Sequence, residues 1–330
     1  MEPADLSAAD YAGLTPDVVL NAVDQCGQRT DGRLLALNSY ENRVYQVGIE
    51  DGKPLIAKFY RPGRWSDAAI LEEHTFSLEL AEEELPVVAP LQLDGSTLLH
   101  AGGYRFALYP RQGGHWPELN SAAEREWIGR LLGRLHAVGA TRAFRHRPEI
   151  DIESFGWQSR AYLLEHDFLP AHIQTAYRTL SEDLLQQIES QQAAAGQPRK
   201  IRLHGDCHPG NILWADDGPH FVDLDDCRSG PAIQDLWMLL SGERHEMQIQ
   251  MADIVLGYEQ FFHFNDRELQ LIEALRTLRM IHYAAWLARR WSDPAFPYAF
   301  PWFNSPRYWE DHILALREQA SLLNEPPLVI

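Results

Sequence analysis

A short non-helical stretch, residues 201–235, constrains the fold and the chemistry of this chain more than any other feature. It contains two apolar runs, 212–214 and 221–224, whose residue types are typical of β-strands and which a polar turn separates. Such a pair predicts a β-hairpin. Asn211 lies directly before the first run and Asp223 lies within the second, so we expect the hairpin to bring these two residues close together.

Asp206, Asn211 and Asp223 have the chemistry that phosphoryl transfer requires. The reaction needs a carboxylate that orients the attacking hydroxyl and accepts its proton, and oxygen ligands that hold Mg²⁺ against the phosphates. Asp206 suits the first role, and Asn211 and Asp223 suit the second. The His-x-Asp-x-x-x-x-Asn spacing, followed by an apolar strand with an aspartate, is typical of a kinase catalytic loop. A polar surface loop is the alternative, but a solvated loop has no reason to lie between two regular strands.

The first part of the chain has the signals of one helix and then a β-meander. Thr15 followed by Pro16 is typical of a helix start, and Gly27 is typical of a helix end. Short β-prone runs follow, separated by polar or glycine-containing turns, which predicts antiparallel pairing. These runs are residues 34–37, 43–49 and 55–60.

A helix then interrupts the predicted sheet. It spans about residues 66–84, and Pro86 ends it. Two further strands are expected, one around Leu91 and one over 104–109, beside glycine-containing turns. Residues 110–114 have the composition of a linker.

Beyond the linker the apolar pattern becomes helical, beginning with a capping box at Ser121 and Glu124. The sequence therefore predicts an α+β fold, with a small antiparallel β-rich lobe over 1–110 and a larger, mainly α-helical lobe over 111–330. ATP is expected to bind between these lobes. Further helices are predicted over residues 155–194, 246–262 and 265–291.

Lys58 is the cation expected on the phosphates. It lies in the third predicted strand, where alternation places it on the same largely apolar face as Ile56 and Tyr60. An edge-strand lysine that deters aggregation is the alternative, and the catalytic loop argues against it. Glu73, in the following helix, is the expected partner of Lys58, but the sequence leaves Glu72 open because it does not show which glutamate faces the strand.

The glycine-rich phosphate loop of many kinases is absent, because residues 37–45 contain no Gly-x-Gly-x-x-Gly. Asn38 and Ser39, at a turn between two strands, are expected to offer a hydroxyl and backbone N–H groups above the phosphates. Ordinary turn residues are the equally weighted alternative.

The composition excludes several classes of partner. With a formal net charge of −18, the chain lacks the overall positive charge that favours binding to nucleic acid or to an anionic membrane. Its three cysteines form no Cys-x-x-Cys pair, which fits a reducing compartment. No stretch approaches about 18 uninterrupted apolar residues, and the N-terminus lacks the pattern of an export signal. We therefore expect a cytoplasmic protein, and a monomer.

These residues resemble the aminoglycoside phosphotransferase-like branch of the bilobal protein-kinase fold, in which the catalytic loop reads His-Gly-Asp. More narrowly, the chain resembles the bacterial stress response kinase A family, and the resemblance extends over nearly the whole chain. The matching segments are residues 37–45, 58–62, 71–74, 202–208, 222–226, 235–239, 286–297 and 325–328.

The resemblance implies an ATP-dependent serine/threonine protein kinase of the bacterial stress response. It implies that Asp206 is the proton acceptor, that Asn211 and Asp223 bind Mg²⁺, with Asp223 also counted as catalytic, and that Ser39 lies beside ATP. Asp235 would brace the catalytic loop through backbone hydrogen bonds. The further implied role, for His204, is that of a packed structural histidine.

The chain also departs from eukaryotic protein kinases. Gly205 replaces the usual arginine before the catalytic aspartate, no Ala-Pro-Glu segment follows Asp223, and only 11 residues separate Asp223 from Asp235. So short a segment leaves little chain for docking a peptide, and it favours a small acceptor of the aminoglycoside or choline type. The C-terminal matches to the family favour a protein acceptor, and we follow them.

Two other classes remain. A zinc-dependent hydrolase would use His204, Asp206, His208, His220 and Asp223 as metal ligands, but it leaves Lys58 and Glu73 without a role. A binding module without catalysis would bind nucleotide without turning it over.

Overall fold

The computed structural model describes residues 11–196 and 198–330, and its contacts divide the chain into two compact units. Among the described residues, the first unit contains 11–118 together with Phe144–Arg147 and His208–Cys227. The second contains Leu119–Ala143, Pro148–Cys207 and Arg228–Ile330.

The first unit is built on a five-stranded antiparallel sheet with the order β1-β2-β3-β5-β4. Helix α1 packs on this sheet, and Val19, Val23, Val47 and Phe59 are among the residues of their shared core. The predicted opening helix and β-meander are confirmed. The elements are α1 (Pro16–Gln25), β1 (Thr30–Ala36), β2 (Arg43–Ile49), β3 (Leu55–Phe59), β4 (Leu99–Ala101) and β5 (Tyr104–Pro110).

The prediction of a strand around Leu91 is wrong. Leu91 donates its backbone N–H to the carbonyl of Leu108 over 2.7 Å but lies outside the strands, and β4 begins later. Pro90, directly before it, has no N–H with which to continue a ladder.

Helix α2 (Asp67–Glu82) begins as predicted, because the hydroxyl of Ser66 accepts the backbone N–H of Ala69 over 3.2 Å. Ile70, Glu73, Phe76 and Leu80 are buried at helical spacing. Glu73 is therefore an acidic residue on the buried, otherwise largely apolar face of α2.

The β7–β8 hairpin also belongs to the first unit. It comprises β7 (Ile212–Ala215) and β8 (Gly218–Phe221), so the predicted second strand ends earlier than residue 224. The cause is Asp223, whose φ of 59° and ψ of 63° take the chain out of the β region and into a 3₁₀ turn.

The second unit is mainly helical, as predicted. Its α3 has the expected capping box between Ser121 and Glu124. Helices α3 and α7 approach closely at Gly129, where a Cβ would lie 2.0 Å from the carbonyl oxygen of Ile254. The helices are α3 (Ala122–Gly139), α4 (Gln158–Glu165), α5 (Ala171–Ala195), α6 (Ile233–Trp237), α7 (Arg244–Tyr258), α8 (Ile272–Arg289), α9 (Ala295–Ala299) and α10 (Pro306–Leu322).

A two-stranded sheet of β6 (Ile201–Leu203) and β9 (Arg228–Gly230) completes the second unit. Helices α5, α8 and α10 share an apolar core, to which Tyr177, Leu278 and Trp309 belong. Within residues 11–196 and 198–330, no helix is both long and apolar enough to cross a membrane.

Candidate active site

Asn211 and Asp223 lie at adjacent positions beside the β7–β8 hairpin of the first unit. Ile212 pairs with Phe221, and the backbone N–H of Val222 donates to the carbonyl of Asn211 over 3.0 Å. The hairpin therefore brings the two predicted magnesium-binding residues together in the backbone. A non-glycine residue in the left-handed region, as Asp223 is, is uncommon and often marks a functional position.

The two residues offer the oxygen ligands that Mg²⁺ prefers. The side chain of Asp223 is 53% exposed, so part of its carboxylate is accessible to a cation from solvent. The amide oxygen of Asn211, in the 3₁₀ turn directly before β7, would be a second hard ligand. The donor set fits magnesium with a nucleotide, and the role of these residues as ligands stays a prediction.

Lys58 is buried among three carboxylates of the first unit. Its Nζ lies 2.8 Å from Asp223 Oδ1, 3.3 Å from Asp225 Oδ1 and 3.7 Å from Glu73 Oε1. Burial lowers the pKa of Lys58, but these carboxylates, Asp223 first, more than offset burial and hold the pKa well above its ordinary value. The lysine therefore stays charged, and Asp223 is its nearest acidic partner.

Glu73, rather than Glu72, faces Lys58. Burial raises the pKa of Glu73 to about 7, although the charge of Lys58 lowers it. Glu72 instead accepts backbone N–H groups from three successive residues, over 2.6, 2.7 and 2.9 Å. These donors are Arg145, His146 and Arg147.

Ser39 lies in the turn after β1, where its hydroxyl donates to the carbonyl of Asn42 over 3.1 Å. The side-chain oxygen of Asn42 accepts the backbone N–H of Arg61 over 3.1 Å, which holds the turn to the end of β3. The turn is thus built by side-chain hydrogen bonds, where other kinases use glycines. Contact of Ser39 with ATP stays a prediction.

The first unit contains functional charged residues that no sequence motif indicates. Arg64 binds Asp225 and Asp226, and Arg147 donates to the backbone carbonyls of Asp225 and Cys227. Their partners lie about 80 to 160 residues away in the sequence, so no local spacing reveals them. The acidic pair after Asp223 was a signal, since buried carboxylates require cationic partners.

The catalytic loop follows β6 in the second unit. The carboxylate of Asp235 accepts the backbone N–H groups of His204, over 2.8 Å, and Gly205, over 2.9 Å, and also lies 3.1 Å from Nε2 of His136. These contacts are the ones expected of a brace. Gly205 has a φ of 85°, a conformation that favours glycine, which accounts for glycine before Asp206.

Asp206 is held by a residue that the sequence did not indicate. Nη1 of Arg279, on α8, donates to Asp206 Oδ1 over 2.6 Å. The side chains of Asp206 and Arg279 are both partly exposed. A charge-assisted hydrogen bond of this kind fixes the direction of the carboxylate.

The residues of the hydrolase alternative do not form one ligand set. His208 accepts the backbone N–H of Gly210, and His220 lies 3.5 Å from Asp217. Across residues 11–196 and 198–330, no group of three or more His, Cys, Asp or Glu side chains is placed to hold a metal ion.

Known proteins resemble this chain along most of its length. Residues 33–272 match the model of the phosphotransferase enzyme family. Stress response kinase A of Escherichia coli strain K12 is 44% identical over 322 residues, which cover 98% of this chain and 97% of that protein. The serine/threonine protein kinase RdoA of Salmonella typhimurium strain LT2 has the same identity and coverage.

The fold is also that of solved kinases. Amicoumacin kinase hAmiN, in complex with AMP-PNP, Ca²⁺ and Ami, matches with a TM-score of 0.66 and 19% identity, over 91% of this chain and 90% of that chain. Likeness at this identity shows the fold alone. The predicted α+β fold of kinase type, with an antiparallel β part and a helical part, is confirmed.

Proposed function

Because this chain belongs to the phosphotransferase enzyme family and, within it, to the stress response kinase A family, we propose that it phosphorylates serine or threonine hydroxyls of proteins. The observation that carries the proposal is the 44% identity, over 98% of the chain, to a protein named serine/threonine protein kinase. The phosphoryl donor is ATP with Mg²⁺. The proposal keeps the predicted nucleotide lobe, 1–110, and catalytic lobe, 111–330.

Lys58 and Asp223 prepare the donor side. Asn211 and Asp223 would hold Mg²⁺, which neutralises charge on the phosphates when bound. Lys58, now 2.8 Å from Asp223, exchanges that contact for the α- and β-phosphates. Glu73, 3.7 Å away in a buried position, then becomes the acidic partner that keeps Lys58 in place.

Asp206 prepares the acceptor side. Its carboxylate orients the attacking hydroxyl and accepts the proton that this hydroxyl loses, so that the oxygen attacks the γ-phosphorus in line. The bond from the γ-phosphorus to the bridging oxygen breaks as the new bond forms, and ADP leaves with the electron pair of that bond. Asp235 supports this role from a buried position, because it binds the two residues that precede Asp206. Ser39 is proposed to contact ATP.

A small-molecule acceptor is the second candidate. It is supported by the 11 residues between Asp223 and Asp235, and by the fold likeness to a kinase whose complex contains Ami. The protein acceptor is preferred because the sequence identity to the stress response kinases extends over 98% of the chain, including the helical C-terminal part. We further propose that the enzyme is a cytoplasmic monomer.

Transfer of labelled γ-phosphate from Mg-ATP tests the proposal. The wild type is compared with Asp206→Asn, and with Asp217→Asn as a matched control, because Asp217 lies on an exposed turn. Label on serine or threonine of casein or histone, lost in D206N and retained in D217N, supports the proposal. Label on aminoglycoside, choline or sugar acceptors only would transfer the enzyme to the small-molecule class. Absence of ATP turnover by folded wild type would refute the kinase mechanism.

A further inference from the structure

We propose that Arg64 is a positioning residue that connects the phosphate-side turn, residues 39–42, to the metal loop, residues 223–226. The inference rests on the proposed function, which places Ser39 and Asp223 at the nucleotide. It adds an ionic connection between these two segments, which Arg64 forms together with Glu41.

Arg64 contacts both segments from one guanidinium group. Its Nη1 donates to Asp225 Oδ2, and its Nη2 donates to Asp226 Oδ1 over 2.7 Å. Its Nε lies 3.7 Å from Glu41 Oε1. The side chain of Arg64 is 12% exposed, so solvent screens these charges little. A planar fork with five donors reaches several carboxylates at once, whereas the ammonium group of lysine is a single point charge.

The phosphate-side turn is held to the same site by Arg61. Nε of Arg61 donates to the backbone carbonyl of Glu41 over 2.9 Å and lies 3.0 Å from its carboxylate, and Nη2 donates to the carbonyl of Tyr40 over 3.1 Å. Arg61 is buried. Glu41 therefore has a defined position between two arginines, and a movement of the turn changes the surroundings of Arg64.

The metal loop is connected to Lys58 through Asp225. The same carboxylate that binds Arg64 through Oδ2 has its Oδ1 3.3 Å from Lys58 Nζ, and Lys58 binds Asp223. Without Arg64, Asp225 would lose its closest cation and interact more strongly with Lys58. Lys58 would then exchange its carboxylate contacts for the phosphates less readily. The mutual repulsion of Asp223, Asp225 and Asp226 would also displace Asp223, the proposed metal ligand.

The experiment compares Arg64→Gln, Arg64→Lys, Glu41→Gln and the double variant R64Q/E41Q with wild type. Arg29→Gln is the matched control, because Arg29 forms an exposed pair with Glu50 at 3.6 Å in the same unit. Binding of ATP is measured by calorimetry with and without Mg²⁺, and unfolding in urea reports whether each variant folds. KM and kcat are measured in parallel.

We expect R64Q to weaken Mg-ATP binding by about tenfold or more, and metal-free ATP binding by less. E41Q should act in the same direction, and the double variant should lose less than the product of the two single effects, since both remove one connection. R64K should recover only part of the affinity, and R29Q should match wild type.

Folded R64Q and E41Q that bind Mg-ATP like the wild type would refute the connection, as would independent effects that multiply in the double variant. If R64Q does not fold, R64K and E41Q decide by the same criteria. A further outcome is that the variants show these effects on Mg-ATP binding while the wild type phosphorylates no protein. That result would contradict the proposed acceptor and leave the role of Arg64 supported.

Discussion

Replacement of Asp235 by alanine should destabilise the second unit and inactivate the catalytic loop. The Asp235 carboxylate is fully buried and accepts hydrogen bonds from the backbone N–H groups of His204 and Gly205, with His136 at 3.1 Å. In D235A these donors remain buried and lose their acceptor. Asp206 follows Gly205 directly, so the loss of order reaches the carboxylate that we propose as the base.

The magnitude follows from the number of donors that lose their partner. A buried donor without a partner costs about 1–3 kcal/mol, so the two backbone N–H groups together predict a loss of about 2–6 kcal/mol in the free energy of unfolding. Asp235→Asn retains one carbonyl oxygen and should lose about half of that amount. In both variants kcat should fall more than KM for ATP rises, because Asp206, the proposed base, is displaced, whereas Lys58, the lysine proposed to bind the phosphates, is untouched.

Urea denaturation monitored by circular dichroism, with phosphoryl transfer on the same preparations, checks this prediction. Asp311→Ala is the control, because Asp311 forms an exposed pair with Arg307 at 3.6 Å, and exposed pairs contribute little to stability. Unfolding of D235A within about 1 kcal/mol of the wild type would refute the argument that Asp235 satisfies buried donors.

Two further predictions concern Glu268 and Arg279. Burial raises the pKa of Glu268 from 4.5 to about 7, so the folded state binds a proton more tightly than the unfolded state. The free energy of unfolding should therefore fall as the pH rises from about 4.5 to about 7, by up to about 3 kcal/mol. The urea midpoints at pH 5 and pH 8 should differ less in Glu268→Gln than in the wild type, and an unchanged difference would contradict the assignment. Arg279→Gln should lower kcat by about tenfold or more with little change in KM for ATP, because it frees the Asp206 carboxylate to rotate. Arg279→Lys should recover part of the rate, and Arg276→Gln, on the same helix, is the kinetic control.

Local signals predicted most of the fold. The capping residues Thr15 and Ser121 each begin a helix in the structure, because capping depends on residues three or four positions apart. The prediction of a strand around Leu91 was wrong because local signals do not determine strand pairing. Pairing in a sheet depends on distant partners, and a single bond from Leu91 to β5 does not make a strand.

The site was predictable where its residues are close in sequence. The spacing of Asp206, Asn211 and Asp223 predicts the catalytic chemistry, which stays a prediction, and the hairpin geometry of the latter two follows from the strands around them. The choice between Glu72 and Glu73 required the rotation of α2, which a run of two acidic residues does not define. The contact of Arg64 with Asp225 and Asp226 was not predictable, because these two residues lie more than 160 positions away in the sequence.

The charges around Lys58 explain why the site needs these unpredicted arginines. In the part of the chain that the structure describes, Lys58 and three arginines lie within 4.0 Å of five carboxylates, one negative charge more than these cations supply. Burial then favours protonation of the deepest carboxylate, which agrees with the raised pKa of Glu73. A divalent cation on Asp223 would reverse the excess, remove the nearest anion from Lys58 and favour ionised Glu73 as its partner. The arginines are Arg61, Arg64 and Arg147, and the carboxylates are those of Glu41, Glu73, Asp223, Asp225 and Asp226.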